Sequence, residues 1–114
     1  MLVAMISRAT DFDGVPVVDP VDRERWLAQV PGTRTGRRCG CGECPSVVLL
    51  DASGRTPTGE RSRIVLSAGA PEALLLLFVD DDRLSYLELA PTEPDGRFEE
   101  FPPVESLRFG PAEP

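Results

Sequence analysis

The fold is decided by residues 74–89, where the apolar run LLLLFV (74–79) is followed by DDDR (80–83) and then by LSYLEL (84–89). A short run that is apolar at every position is typical of a strand buried on both faces. A buried helix is the alternative, but the short length and the acidic turn favour the strand. Three adjacent carboxylates are too costly to bury without partners, so the chain must reach the surface there and return. We predict an antiparallel hairpin with Leu76 and Leu87 buried.

The second strand of this hairpin has two different faces. Alternation places three side chains on each side, with Ser85, Leu87 and Leu89 opposed to Leu84, Tyr86 and Glu88. Tyr86 and Trp26 are isolated aromatic residues, and we expect both to pack in the core. The turn Asp80–Asp82 could bind a hard cation, although a solvated hairpin tip is the commoner outcome for such a run.

Earlier segments supply further candidate elements. Ser46–Ala52 and Ile64–Ser67 predict strands, the second ended by the small residues Ala68–Ala70 before Pro71. Thr33–Arg38 is polar and basic and predicts an exposed loop. Leu2–Ile6 predicts a short first strand or a frayed end.

The best helix start in the sequence is Asp19-Pro20-Val21-Asp22, preceded by a turn signal at Asp13-Gly14. An Asp at the N-cap, a Pro at the first helical position and an acidic first turn all favour a helix N-terminus. The helix would run to about Val30, before Pro31-Gly32, with Trp26, Leu27 and Val30 on one face.

Together these elements predict a small two-layer α+β domain. The sheet would be a mainly antiparallel meander, because the strands follow one another with short loops, and the N-terminal helix would pack on one face. We expect residues 1–114 to form a single domain. The proline-rich segment 91–114 would pack on the core through spaced apolar residues, which are Phe98, Phe101, Val104, Leu107 and Phe109.

The residue types present exclude several kinds of catalysis. All 12 basic residues are arginine, so the chain contains neither lysine nor histidine. Without histidine there is no Ser–His or Cys–His pair and no imidazole base. Without lysine there is no Schiff-base or phosphate-loop lysine. The sequence therefore favours a protein that is not an enzyme. Its Arg, Ala, Gly and Pro content is typical of a GC-rich bacterial genome.

Charge is distributed unevenly along the chain. The net charge is −7, and residues 80–114 carry ten acidic residues against three arginines, whereas residues 1–79 are balanced. An acidic total argues against nucleic-acid binding. Arg34, Arg37 and Arg38 could clamp an anion, although a solvated basic loop is commoner.

Neither a membrane span nor an export signal is predicted. The longest apolar run, Ala73–Val79, is too short to cross a bilayer, and residues 1–6 lack the basic region of a signal peptide. We expect a cytoplasmic protein that does not bind membranes.

All three cysteines of the chain lie in Cys39-Gly40-Cys41-Gly42-Glu43-Cys44. Sulfur ligands at this spacing can hold zinc, Cu(I) or an iron–sulfur cluster. A closed structural zinc site needs four ligands, and the fourth could be Glu43, Asp51, a water molecule or a cysteine from a second chain.

Two other interpretations of the cysteines stay open. Arg37 and Arg38 would favour the thiolate form, and the CxxC spacing of Cys41 and Cys44 supports disulfide exchange. The cysteines could also be small residues packed in a tight turn that enters a buried strand, since free cysteine is among the most buried residue types.

From Arg38 onward the chain resembles a family of small bacterial proteins with a CGCG cysteine motif and a C-terminal DRLSxLE hairpin. The matching residues are Arg38–Gly42, Ser46–Leu50, Leu75–Val79, Asp82–Glu88 and Phe101-Pro102. The resemblance covers roughly two thirds of the chain. It implies one compact domain and carries no established activity. In that family the last cysteine lies nearer the second, so Glu43 here changes the ligand spacing.

Two functional hypotheses follow from the sequence. The first is a small non-catalytic interaction module, such as an acidic inhibitor or immunity-type partner of another protein. The alternative is a zinc-binding or thiol-redox protein that uses Cys39, Cys41 and Cys44.

Overall fold

A computed structural model describes residues 1–11, 19–38, 45–93 and 96–109. The predicted turn at Asp13-Gly14 and the cysteine segment 39–44 lie outside the described residues.

The described residues form a small α+β domain, as predicted, with two helices and a six-stranded antiparallel sheet. The helices are α1 (Leu2–Arg8) and α2 (Pro20–Leu27). The strands are β1 (Thr10–Asp11), β2 (Arg34–Arg38), β3 (Val47–Leu50), β4 (Arg63–Ala70), β5 (Ala73–Asp80) and β6 (Arg83–Pro91). Their order across the sheet is β1-β4-β5-β6-β3-β2.

The hairpin of β5 and β6 is confirmed, with Leu76 and Leu87 both buried. Its turn consists of Asp81 and Asp82, whose φ angles of 51° and 66° match the positive values that a type I′ hairpin turn needs at both central positions. Aspartate tolerates this left-handed region better than most residues.

A β-bulge at Ser85 changes the predicted faces of β6. Phe78 pairs with Tyr86 but Val79 pairs with Leu84, so Ser85 is an extra residue. Leu84 is consequently buried in the core beside Leu87, not on the side of Tyr86 and Glu88.

The sheet divides the apolar residues between two faces. One face carries the core, in which Leu66, Leu75, Leu77 and Leu89 are almost fully buried under the helices and the C-terminal segment. Alternation along the strands and the strand register place a second set of side chains on the opposite face of the sheet, which we call the outer face. Its residues are Val48, Val65, Leu74, Leu76, Phe78, Tyr86 and the charged Glu88.

Helix α2 begins where the sequence predicts. The Asp19 carboxylate accepts a hydrogen bond of 2.8 Å from the Val21 backbone N–H, and Pro20 occupies the first turn. The helix ends at Leu27, and a short 3₁₀ turn, Val30–Gly32, follows it. Trp26 is fully buried, which confirms its predicted place in the core.

The prediction of a strand or frayed end at Leu2–Ile6 is wrong, because this segment lies in helix α1. Met5 and Ile6 are fully buried in the core, and Leu2 packs beside them at helical spacing. The Arg23 guanidinium donates hydrogen bonds to the carbonyl oxygens of Ile6 and Ala9, which satisfies the helix C-terminus from α2. No local sequence pattern predicts this contact, because the residues that make it lie far apart along the chain.

The prediction of an exposed loop at Thr33–Arg38 is also wrong, because Arg34–Arg38 forms β2 at the edge of the sheet. Thr35 pairs with Leu49 of β3, and the arginines remain exposed. Charged residues on an edge strand discourage unwanted strand pairing, so a polar composition is compatible with a strand at this position.

The strand order departs from a simple meander at one connection. β4, β5 and β6 form a meander, but β3 pairs with β6 and not with β4. The segment between Leu50 and Arg63 therefore crosses the hairpin end of β5 and β6, where the Thr56 hydroxyl donates to the Ser85 carbonyl oxygen.

β4 extends past its predicted end at Ser67 to Ala70. Ala68 and Ala70 are buried against the core, and Arg108 of the C-terminal segment exchanges two backbone hydrogen bonds of 2.8 Å with Gly69. The described part of that segment packs on the core, with Leu107 buried and with Phe98, Phe101 and Phe109 half-buried.

Candidate interaction surface

The acidic turn at the end of the β5–β6 hairpin is bound into the fold and is not a solvated tip. Asp80 is buried, and its carboxylate accepts hydrogen bonds from Arg63 at 2.7 and 3.1 Å and from the Ser85 hydroxyl at 2.7 Å. The contact with Asp80 raises the pKa of Arg63. One carboxylate of the run is thus buried with full compensation of its charge.

Asp81 organises the loop that precedes β4. Its carboxylate accepts hydrogen bonds from the backbone N–H groups of Gly59, Arg61 and Ser62, at 3.2, 2.8 and 3.1 Å. These bonds, the one from Arg61 first, hold the pKa of Asp81 below its ordinary value.

Asp82 anchors helix α2 to the turn. Its carboxylate accepts from Arg25 at 2.6 Å and from the Trp26 indole N–H at 2.9 Å. Both contacts lower the pKa of Asp82, and the one from Arg25 is the larger. The Gln29 side chain completes the attachment, donating to the Asp82 carbonyl oxygen and accepting from the Leu84 N–H.

The carboxylates of the turn are therefore occupied by partners within the chain. In the part of the chain that the structure describes, no group of three or more histidine, cysteine, aspartate or glutamate side chains is arranged to hold a metal ion. Each carboxylate of the acidic turn thus has a structural role in the described part of the fold.

Asp51, a predicted candidate for the fourth metal ligand, is engaged in another way. Its Oδ1 accepts from the Ser53 hydroxyl and N–H and from the Arg55 N–H, while its Oδ2 lies 2.9 Å from an Arg83 nitrogen. These contacts, the Ser53 hydroxyl first, lower the pKa of Asp51 to about 2. Asp51 directly follows β3, at the opposite end of that strand from Pro45 and Ser46.

The other predicted ligands, Cys39, Cys41, Glu43 and Cys44, lie outside the described residues. The strands on either side of them are described, and Arg38 of β2 is the register partner of Val47 of β3. The three cysteines thus belong to the connection between two paired strands.

The predicted arginine clamp lies on β2. Arg34, Arg37 and Arg38 are exposed, and the Arg38 guanidinium donates to the Glu99 carbonyl oxygen at 3.1 Å. β2 is an edge strand of the described sheet, so one backbone edge of β2 pairs with no other described strand.

The outer face of the sheet keeps apolar side chains accessible to solvent. Leu74 is 37% exposed, and Val48, Val65, Phe78 and Tyr86 are half-buried. The prediction that Tyr86 packs in the core is wrong, because its register opposite Phe78 places it on this face. The alternation of Tyr86 and Glu88 with buried leucines was the sequence signal for this outcome.

A depression of about 230 Å³ lies on the outer face, and its described lining is Arg63, Phe78, Tyr86 and Glu88. The two aromatic rings have centroids 5.9 Å apart and an interplanar angle of 57°, a tilted arrangement that aromatic pairs favour. The Arg63 guanidinium lies 5.1 Å from the centroid of the Phe78 ring. We call this depression the aromatic dish.

A second depression, of about 190 Å³, lies between α2 and the end of β3 and includes Gln29, Asp51 and Arg83. Gln29 and Asp51 are the residues that attach the hairpin to α2 and to the loop after β3. Its polar lining is used by the fold, whereas the carboxylate of Glu88 in the aromatic dish has no hydrogen bond or ion pair among the described residues.

Comparison of the chain with protein-family models, with curated proteins and with solved structures finds no match. The family resemblance of the segment from Arg38 onward stays a prediction. Among the described helices, none combines the length and the apolar character that a membrane span requires.

Proposed function

We propose that this chain is a small non-catalytic module that binds another protein through the outer face of its sheet, as an acidic inhibitor or immunity-type partner. The observation that carries the proposal is the accessible apolar surface around Leu74, Phe78 and Tyr86 on β5 and β6. Apolar side chains that stay accessible to solvent, with polar residues beside them, are typical of protein-binding sites.

The use of the acidic residues supports the same proposal. Asp51, Asp80, Asp81 and Asp82 hold loops and helices in place, and the chain has no histidine or lysine to serve as a catalytic base. The net charge of −7 would attract a basic partner and raise the rate of association.

Affinity capture with matched variants tests this proposal. Leu74→Asp places a charge on the outer face, and Val21→Asp places the same charge on an exposed position of α2, where Val21 is 63% exposed. We expect the wild-type protein and Val21→Asp to recover one stoichiometric partner and Leu74→Asp to lose it. Absence of any stoichiometric partner under several lysis conditions, or equal recovery with both variants, would count against the proposal.

A metal-binding or thiol-redox function through Cys39, Cys41 and Cys44 is the second candidate. Its support is the sequence spacing, together with the pairing of Arg38 and Val47 at the base of the connection that carries the cysteines. Zinc would be the expected metal, and Glu43 or a partner cysteine is better suited than Asp51 to complete the site, since Asp51 is already bound by Ser53 and Arg83.

Elemental analysis of protein purified without a metal-affinity tag tests this second candidate. We expect close to one equivalent of zinc and a loss of thiol reactivity in the loaded protein. Less than about a tenth of an equivalent of any transition metal, with three freely titrating thiols, would rule out the metal function. A cytoplasmic location is part of both proposals, because clustered cysteines stay reduced in that compartment.

A further inference from the structure

We propose that the aromatic dish on the outer face receives an arginine side chain of the partner, which pairs with Glu88 beside the aromatic ring of Phe78. This inference rests on the proposed function and names the chemistry of the partner at that surface.

Glu88 is the unusual residue of the outer face. It is half-buried on β6, directly opposite Leu76 in the register, and its neighbours on this face are mainly apolar. In the described part of the chain its carboxylate takes part in no ion pair or hydrogen bond. A partly desolvated carboxylate without a partner is unfavourable, and a cation that buries it would gain a charge-assisted hydrogen bond.

Among the described residues, none of the charges around the dish compensates Glu88. Arg63 also lines the dish, but its guanidinium is bound by both carboxylate oxygens of Asp80, so that pair is close to neutral. Arg108 extends over Gly69 on β4, which is separated from β6 by the whole width of β5. The dish therefore presents one negative charge beside two aromatic rings.

The aromatic rings favour arginine over other cations. The Arg63 guanidinium already lies over the Phe78 ring, so the face of a ring in this dish accepts a planar cation. Guanidinium groups stack on aromatic rings and bind carboxylates through two parallel N–H groups, whereas an ammonium group is compact and more strongly hydrated. Tyr86 and Glu88 lie on the same face of β6, two residues apart, so the Glu88 carboxylate lies beside the aromatic pair.

The test is an NMR titration of the full chain with acetylated tri-arginine amide, and with tri-citrulline amide as the neutral probe of the same shape. The binding of both probes is compared for the wild type and for the variants Glu88→Gln and Glu105→Gln. Glu105 is an exposed acidic residue of the C-terminal segment, so its variant controls for the change in net charge. Melting temperatures of all three establish that the fold is intact.

We expect tri-arginine to shift the ring resonances of Phe78 and Tyr86, and Glu88→Gln to weaken that binding about tenfold, as loss of one charge-assisted bond implies. Glu105→Gln and the wild type should bind alike, and tri-citrulline should bind no better than tri-arginine does to Glu88→Gln. Equal affinities of the two variants, or equal affinities of the two probes, would overturn the inference.

The captured partner separates this inference from the proposed function. Loss of the partner with both Leu74→Asp and Glu88→Gln supports both. If the partner is lost with Leu74→Asp but fully retained with Glu88→Gln, the arginine site is overturned and the proposed interaction module is still supported. Full retention with both variants overturns both.

Discussion

At the scale of single residues, three consecutive aspartates have three different partners. Asp80 is buried and pairs with the exposed Arg63, Asp81 accepts hydrogen bonds from backbone N–H groups, and Asp82 binds α2 through Trp26. The sequence predicts that this run turns the chain, because carboxylates resist burial. It does not reveal that each carboxylate holds a different part of the fold, because the partners lie far away along the chain.

The substitution Asp81→Ala should destabilise the protein. It leaves the N–H groups of Gly59, Arg61 and Ser62 without their acceptor, and it places alanine at a positive φ that aspartate tolerates better. We expect a melting temperature several degrees lower and faster amide exchange at residues 59–62. Glu105→Ala, at an exposed site, is the control and should change neither quantity. An unchanged melting temperature for Asp81→Ala would show that the turn is solvated, as the sequence alone suggests.

Protonation of the aspartates should weaken the fold at low pH. The pKa of Asp51 is lowered to about 2, and the pKa values of Asp81 and Asp82 are also lowered, so the folded state binds fewer protons than the unfolded state in this range. The stabilisation is present above about pH 4, the ordinary aspartate value, and is lost as the pH falls towards 2.

Urea unfolding of the wild type and Asp51→Asn at a series of pH values measures this effect. We expect the wild type to be the more stable protein at pH 7 and the difference to shrink between pH 5 and pH 2.5. A difference that stays constant or grows on acidification would show that the Asp51 carboxylate does not stabilise the folded state.

At the scale of elements, the leucine run of β5 serves both faces of the sheet. Leu75 and Leu77 are fully buried in the core, whereas Leu74 is 37% exposed on the outer face. An all-apolar run predicts a strand buried on both sides, and Leu76 is indeed buried, but the run itself does not indicate which face the helices cover.

The two faces should therefore respond differently to truncation. Leu77→Ala removes a fully buried side chain and should lower the free energy of unfolding by about 2–5 kcal/mol. Leu74→Ala should cost less than about 1 kcal/mol, because much of that side chain is in water already. Urea denaturation of both variants measures these values, and a larger loss for Leu74→Ala would show that the register of β5 is shifted by one residue.

The attachment of α2 to the hairpin depends on Trp26. The substitution Trp26→Phe keeps an aromatic ring in the core but removes the indole N–H that donates to Asp82. We expect a loss of about 1–3 kcal/mol in the free energy of unfolding, typical of a hydrogen bond to a charged group. In a double-mutant cycle with Asp82→Asn, the loss caused by Trp26→Phe should be much smaller in the Asp82→Asn background than in the wild type. Additive losses would mean that the two residues do not interact.

At the scale of the whole molecule, local signals predict the elements better than their arrangement. The cap at Asp19 and the hairpin at residues 74–89 were predictable, because their chemistry is contained in a few adjacent residues. Helix α1 and strand β2 were not, because α1 depends on Arg23 of α2 and β2 depends on pairing with β3. The outer face could be predicted only in part, since the bulge at Ser85 sets which residues of β6 share it.

The proposed function depends on one property of the molecule, the placement of Leu74 and Phe78 on an accessible outer face and of Leu75 and Leu77 in a dry core. A soluble gadolinium chelate relaxes NMR signals of groups near solvent and leaves buried groups unaffected. We measure its effect on the methyl groups of Leu74, Leu75 and Leu77 and on the ring of Phe78. The account predicts strong relaxation at Leu74 and Phe78 and little at Leu75 and Leu77. Equal protection of all four residues, or stronger relaxation at Leu75 and Leu77, would contradict it.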